Sequence, residues 1–249
     1  MAEFYLTLPS NSSRAHFPDN HGGHFYSKLP QAFDLQGKSY EVGLAEIQFP
    51  NTFPNVQEGE AYIKIRNGDG PRTKLVLTAG LYKDTAALIH ALNSLIKLEV
   101  RDVVKLRFHH NSNTKKVWIR LKNKKLSVLL SPFLAEMLSI DENMSGPGFF
   151  QSHSVVNIHK NTAGMYVYCD LVAHRPVGDV MAPLLRVVSA SDTFKPVVHK
   201  IFWKPHYIRL SRREFDTVEV LMSTDSGEIP LFSGGKTIIT LHFRPCRDS

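Results

Sequence analysis

The side chain in this sequence best placed to act as a nucleophile is a single cysteine. Cys169 lies inside the apolar run 165–172 and directly before Asp170. Reactive cysteines occupy electropositive, partly exposed positions such as helix N-termini. An apolar strand and a neighbouring carboxylate have the opposite effect, since both raise the pKa of a thiol. The sequence therefore predicts a buried structural cysteine, and no catalytic residue is assigned.

The twelve histidines raise the question of a metal site. His16, His21 and His24 lie close together, but no histidine is followed two residues later by Asp or Glu. That spacing is common in catalytic iron sites on β-barrels. Structural zinc sites use paired cysteines or His/Cys pairs, and this chain has only Cys169 and Cys246. The sequence predicts a polar loop around 16–24, with neither a metal nor another cofactor.

Basic residues concentrate in one segment, residues 105–125, which we call the basic stripe. The chain has 30 basic and 23 acidic residues, and the stripe holds eight basic and no acidic ones, which leaves 22 and 23 elsewhere. Its basic residues are Lys105, Arg107, Lys115, Lys116, Arg120, Lys122, Lys124 and Lys125. Because the run 117–122 alternates, Arg120 and Lys122 should share one face of a strand.

Such a stripe can contact phosphates electrostatically without reading a base sequence. We therefore predict polyanion contact by Lys115, Lys116, Arg120, Lys122, Lys124 and Lys125. The alternative is a solvated sheet face, or a sheet edge that lysines protect against aggregation.

The segments that must position these residues have mostly the pattern of strands. Short alternating or apolar runs, separated by Gly, Pro and Asn, extend from 4–8 to 236–243. The run 165–172 is the most apolar, which predicts an interior strand covered on both faces. Many short strands of this kind indicate a β-sandwich or a barrel.

Two helices are predicted, and both lie near the basic stripe. Leu88, Leu92 and Ile96 share one face of a helix over about 83–97, and we expect that face to pack on the sandwich body. Ser131 and Pro132 have the pattern of an N-cap followed by proline in the first turn. We therefore predict one all-β domain over 1–249 with a partly helical elaboration at about 67–150.

Composition excludes several classes of protein. Hydrophobic residues make up 43% and charged residues 21% of the chain, which excludes a disordered, coiled-coil or collagen-like protein. Two cysteines exclude a disulfide scaffold and favour a cytosolic or nuclear protein, although a bridge between them is left open. The first ten residues lack the apolar region of a signal peptide, and no apolar run is long enough for a membrane span.

Seven segments, in one order along nearly the whole chain, carry a resemblance to a known family. They are FYLTLPSNSS (4–13), LPQAFDLQGKSYEVGLAEIQFP (29–50), AGLYKDTAALIHALN (79–93), MYVYCDLVAHRPVGD (165–179), PLLRVV (183–188), FDTVEV (215–220) and IPLFSGGKTIITLHFRP (229–245). Together they resemble the minor capsid, or penton, proteins of Polinton/Maverick elements and related adinto-like viruses. The region 98–130, which includes the basic stripe, resembles the family least.

This resemblance implies an antiparallel jelly-roll β-sandwich with no catalytic residue. It implies a homopentameric ring at the vertex of an icosahedral double-stranded DNA virus or virus-like transposon. The partners would be further copies of the chain and a double-jelly-roll major capsid protein. The location would be the virion, and the host cytoplasm or nucleus before assembly. Two other classes stay open: a nucleic-acid-binding β protein that uses the basic stripe, and a jelly-roll enzyme.

Aromatic residues suggest where such a ring could make contact. Six of them fall in predicted loops or strand ends: Phe149, Phe150, Phe194, Phe202, Trp203 and Tyr207. Exposed apolar clusters usually mark interfaces. Phe149 and Phe150 follow Gly146, Pro147 and Gly148 and are our candidates for the subunit interface.

Overall fold

The computed structural model describes residues 3–35, 37, 39–52, 54–99, 106–159, 163–190 and 195–246. The chain forms two compact units. The first consists of Met1–Phe53 and Asn161–Ser249, and the second, Pro54–Lys160, is inserted between these segments in the sequence. The elaboration expected at about 67–150 falls within the second unit. The interpretation of 1–249 as one domain stays a prediction.

The elements are numbered in chain order. The first segment contains β1 (Phe4–Pro9), β2 (His24–Asp34) and β3 (Tyr40–Pro50). The second unit contains β4 (Tyr62–Asn67), β5 (Thr73–Val76), α1 (Thr85–Glu99), β6 (Leu106–Asn111), β7 (Lys116–Leu121), β8 (Leu126–Leu130), α2 (Pro132–Leu138), β9 (Asn143–Ser145) and β10 (Gly148–Gln151). The last segment contains β11 (Gly164–Cys169), β12 (Arg175–Val177), β13 (Val180–Ala182), β14 (Leu184–Ser189), β15 (Val197–Ile201), β16 (Ile208–Arg209), β17 (Glu214–Thr224) and β18 (Ile238–Pro245).

The first unit is built from two large antiparallel sheets and the two-stranded β12-β13 sheet. One has the strand order β1-β18-β3-β15, with β16 also beside β3, and the other has the order β14-β11-β17-β2. These two large sheets share eight main strands, namely β1, β2, β3, β11, β14, β15, β17 and β18. If those eight are renumbered one to eight along the chain, the two orders become 1-8-3-6 and 5-4-7-2. This alternation of strands between two four-stranded sheets is a jelly roll. Every pairing between the described strands is antiparallel, which confirms the predicted β class.

One core fills the first unit, and both sheets contribute to it. Phe25 of β2 and Val167 of β11 come from one sheet, while Val42 of β3 and Leu241 of β18 come from the other. All four side chains are fully buried. Burial of each side chain of this size stabilises the folded state by roughly 1.5–3 kcal/mol. Because side chains alternate between the two faces of a strand, each sheet presents one apolar face to this core.

The most apolar run is an interior strand, as predicted, but it is covered on one face only. β11 lies between β14 and β17. Its Val167 and Cys169 are buried, whereas Tyr166 and Tyr168 are partly exposed. The expectation of two covered faces is wrong because tyrosine extends an apolar run while its hydroxyl end tolerates water.

The second unit has its own core, formed by two small sheets and two helices. Its sheets have the orders β5-β4-β8-β9 and β10-β7-β6. Leu92 and Ile96 of α1 are buried there together with Phe108 of β6 and Ile119 of β7. The predicted helix is therefore present, but its apolar face packs in the insertion and not on the sandwich core. Strands β5 and β6 supply the surface on which it packs.

Both helices begin where the sequence indicates. The backbone N–H of Ala87 donates to the Asp84 carboxylate (2.7 Å), which caps α1. The Ser131 hydroxyl accepts from the N–H of Leu134 in α2 and from the N–H of Tyr62 in β4, both at 3.2 Å. Ser131 is thus an N-cap that also ties α2 to a sheet of its own unit. Neither helix, within the described residues, is long and apolar enough to cross a bilayer.

Candidate functional site

The centre of the basic stripe lies on the open face of the β10-β7-β6 sheet. Side chains of β7 alternate, so that Val117, Ile119 and Leu121 are buried while Arg120 is exposed. Across the sheet, Arg120 is paired with Arg107 of β6 and with Phe149 of β10. Directly paired residues project from the same face, so cations and an aromatic ring share this surface.

A basic cleft lies between this face and helix α1. Its volume is about 630 Å³, within the range of small-ligand sites. It is lined by His90, Asn93, Ser94, Lys97, Leu106, Arg107, His109, Arg120 and Lys122. Asn93 holds the helix against β6, since its amide donates to the Phe108 carbonyl (2.9 Å) and accepts from the Phe108 N–H (3.0 Å).

The cleft is strongly positive. Four of its lining side chains are cations, namely Lys97, Arg107, Arg120 and Lys122, and none of the described lining residues is acidic. The pKa of His109 is lowered, first by burial and then by the charges of Arg107 and Arg120. The positive field that disfavours protonation of His109 would attract an anion to the cleft.

An aromatic row crosses the sheet beside the cleft. The His109 and Trp118 rings are stacked at 5.2 Å between centroids, with planes 7° apart. Trp118 and Phe149 are stacked at 5.8 Å and 30°. Each ring comes from a different strand, in the order β6, β7 and β10. The row ends at Phe149, whose ring is 60% exposed.

The structure separates the residues predicted to contact polyanions. Arg120 and Lys122 line the cleft. Lys115 lies in the β6–β7 turn in a left-handed conformation (φ 56°), and the Lys116 ammonium donates to the His153 carbonyl (3.4 Å). Lys124 and Lys125 lie in the exposed loop before β8. Lys105 lies outside the described residues, and polyanion contact by the stripe stays a prediction.

The two candidate interface phenylalanines do not have the same surroundings. Phe149 lies on the open face of the sheet, whereas Phe150 is partly buried against the core of the second unit. Of this pair, Phe149 is the ring that a partner could reach. The predicted interface role of Phe149 and Phe150 stays a prediction, and Phe194 lies outside the described residues.

Helix α1 contributes cleft residues that were not predicted from the sequence. His90, Asn93 and Lys97 lie at i, i+3 and i+7, a spacing that places them on one face of the helix. This polar spacing is the signal in the sequence that points to a polar helix face opposite the apolar one. Arg107 was counted in the stripe and was not singled out as a contact.

The residues considered for catalysis or metal binding are placed as follows. Burial raises the pKa of the Cys169 thiol to about 12, and Cys169 and Cys246 are both free. His24 Nε2 lies 2.8 Å from a carboxylate oxygen of Glu219. Among the described residues, no group of three His, Cys, Asp or Glu side chains is arranged to hold a metal ion.

The first unit exposes apolar side chains along one edge of a sheet. β15 is an outer strand, paired with β3. Its Ile201 is 51% exposed, and Trp203, just beyond the strand, is 90% exposed. At the other edge of the same sheet, Tyr5 of β1 is 65% exposed and stacks on His242 (4.4 Å). The sandwich thus offers two edges of different chemistry.

Known structures share this fold, although no protein-family model and no curated protein matches the sequence. The mavirus penton protein aligns with a TM-score of 0.51 at 11% identity, over 99% of this chain and 100% of that chain. A chain in the cryo-EM structure of the Sputnik virophage aligns with a TM-score of 0.51 at 12% identity, over 98% of each chain. At these identities the likeness is one of fold, and it confirms the predicted jelly-roll sandwich with a partly helical insertion.

Proposed function

We propose that this protein is a penton-like minor capsid subunit at the vertex of an icosahedral shell. The observation that carries this proposal is the full-length correspondence with the mavirus penton protein, which spans 99% of this chain. A jelly roll alone serves many functions. Here the match also spans the whole of that chain, so the insertion between β3 and β11 falls within the correspondence.

In this proposal five copies form a closed ring through unlike edges of the sandwich. Ring contacts are heterologous, so that one flank of a subunit meets the other flank of its neighbour. Ile201 and Trp203 lie along the β15 edge, and Tyr5 lies on the β1 edge. An exposed edge strand with apolar side chains favours aggregation unless a partner covers it. We assign the ring contact to these edges in preference to Phe149.

Trp203 is the residue whose loss should affect this contact most. Tryptophan is enriched among the few residues that carry most of the energy of an interface. Its neighbour Phe202 is held by the Arg186 guanidinium, which lies 3.7 Å from the Phe202 ring centroid. We expect each contact to bury roughly 1,000 Å² or more.

The remaining parts of the proposal follow from a structural role. The subunit would contact a double-jelly-roll major capsid protein and would be found in the virion. It would have no enzymatic activity and would need no cofactor. Before assembly it would be present in the host cytoplasm or nucleus.

The mass of the purified protein tests the ring. We expect mass photometry to show five subunits, and Trp203→Glu to shift the population to monomers because a charge would be buried in the contact. Leu98→Glu changes a similarly exposed apolar residue of the second unit and should leave the ring intact. A chain that stays monomeric, and is also missing from shells made by a co-expressed major capsid protein, would contradict the proposal.

A further inference from the structure

We propose that the second unit binds single-stranded nucleic acid, with backbone phosphates in the basic cleft and bases stacked at the Phe149 end of the aromatic row. The site lies entirely within residues 54–160. It does not depend on the proposed ring, because none of its residues belongs to the sandwich edges.

The arrangement of the two arginines favours an anionic ligand. Arg107 and Arg120 are directly paired across β6 and β7. Like charges in such a pair are destabilising. Among the described residues, neither arginine forms an ion pair with a carboxylate. Lys97 and Lys122 add to the same positive field. A phosphate would relieve this repulsion, since guanidinium groups bind phosphate through two parallel hydrogen bonds.

The aromatic row favours a ligand that carries bases. His109, Trp118 and Phe149 stand on three neighbouring strands, which span about 10 Å at ordinary strand spacing. Aromatic side chains on the open face of a sheet bind the bases of single strands by stacking in RNA-recognition domains. Because Phe149 is the exposed end of the row, a base can extend the stack there.

The basic cleft and the aromatic row together favour a single strand over other polyanions. A duplex keeps its bases stacked on each other and presents phosphates only, so the aromatic row would add nothing to its binding. The cleft, at about 630 Å³, has room for one or two nucleotides and is too small for a double helix. An acidic peptide would use the cations but would have no planar base for Phe149.

Binding of a fluorescent oligothymidylate of about 12 nucleotides, followed by anisotropy, tests the proposal on the full chain. We expect the double variant Arg107→Gln/Arg120→Gln to weaken binding by about tenfold or more. The slope of log K against log salt should become shallower by about 1.4, because each lost phosphate contact removes about 0.7. The matched control is Lys204→Gln/Lys236→Gln, which removes the same charge from exposed positions of the first unit and should change binding less than about threefold.

The aromatic contribution is tested at Phe149. Phe149→Leu should weaken binding of the oligonucleotide about tenfold without changing the salt slope, since stacking is lost and no charge is altered. Phe149→Tyr keeps the ring and should bind like the parent. Oligouridylate should behave like oligothymidylate, because the stack and the phosphates are common to RNA and DNA.

Three results would overturn the proposal. A duplex of equal length that binds as tightly as the single strand, with Phe149→Leu neutral, would show contact to phosphates alone. Polyglutamate that displaces the oligonucleotide at equal charge concentration would identify an acidic-protein site. Absence of binding at about 50 mM salt would remove the site. If the arginine variant fails to fold, Lys97→Gln/Lys122→Gln tests the same cleft from α1 and from the end of β7.

Discussion

The two units of this protein differ most in what they expose. The second unit has 16 Lys or Arg and 9 Asp or Glu, so it carries the whole net charge of +7, whereas the rest of the chain has 14 of each. The first unit instead exposes apolar side chains at its sheet edges, such as Ile201 and Trp203. The insertion therefore contributes the excess positive charge, whereas the sandwich contributes exposed apolar side chains at its edges.

The two cores are also built differently. In the sandwich, strands of up to 11 residues alternate across two sheets and need no helix. In the second unit the strands have three to six residues, and α1 and α2 complete the core. Short strands bury little apolar surface on their own. The helix caps and the Asn93 hydrogen bonds to β6 therefore contribute more to the stability of the second unit.

The largest expected effect comes from a cavity in each core. Leu92→Ala and Leu241→Ala each remove a fully buried side chain, and each should cost about 3 kcal/mol of unfolding free energy. Hydrogen exchange should locate the two effects differently. We expect Leu92→Ala to raise exchange in Tyr62–Asn67 and Lys116–Leu121, and Leu241→Ala to raise it in Gly164–Cys169 and Ile238–Pro245. Equal changes in both units for either variant would contradict the separation of the cores.

A smaller effect is expected at the cap of α2. Ser131→Ala removes the oxygen that accepts from Leu134 and from Tyr62, and it leaves two N–H groups without an acceptor. We expect a loss of about 2 kcal/mol by chemical denaturation. Ser112→Ala, in the exposed β6–β7 turn, is the control and should have almost no effect. An equal loss in both variants would show that the cap is unimportant for the second unit.

Features set by residues close together in the sequence could be predicted, whereas features set by contacts between separate elements could not. The N-cap at Ser131 and the helix face of Leu88, Leu92 and Ile96 are local patterns, and both were predicted correctly. The surface on which that helix packs was not predicted correctly. The periodicity of α1 shows which face is apolar, but it does not show that this face packs on β6. The cleft forms only where α1 packs beside β6. His90 and Lys97 were therefore not predicted to be cleft residues, although their spacing on one helix face is evident in the sequence.

The next prediction tests the positive field of the second unit through pH. The pKa of His109 is lowered in the folded state, by burial and by Arg107 and Arg120. Its protonation is therefore disfavoured by folding, and stability should be lost as the pH falls through the ordinary histidine value of about 6.5. The groups that line the cleft with it are all neutral or cationic: His90, Asn93, Ser94, Lys97, Leu106, Arg107, Arg120 and Lys122.

His109→Gln isolates this contribution from the other eleven histidines. We expect the parent to lose slightly more thermal stability than this variant between about pH 7.5 and pH 5.5. A parent and variant that lose the same amount would mean that the cleft does not perturb His109. Trp118, which stacks on His109, and Trp203 are unchanged in both proteins and together give the fluorescence signal for the comparison.

The smallest effect on stability, and the clearest effect on binding, is expected from the basic stripe. The fourfold variant changes Lys115, Lys116, Lys122 and Lys124 to Gln. Substitutions at such positions usually change the unfolding free energy by less than about 0.5 kcal/mol each. The melting temperature should therefore stay nearly constant, while retention on heparin falls, because a long polyanion can contact the whole stripe and not only the cleft.

The matched control for the stripe lies in the first unit, where cations and anions balance. It changes four exposed basic residues to Gln: Lys195, Lys204, Arg209 and Lys236. Retention should fall less in this control, since the cations of the sandwich are dispersed among 14 acidic residues whereas the stripe contains none. Equal losses of retention would mean that heparin responds only to total charge. In that case the contrast between a charged insertion and a neutral sandwich would have no consequence for binding.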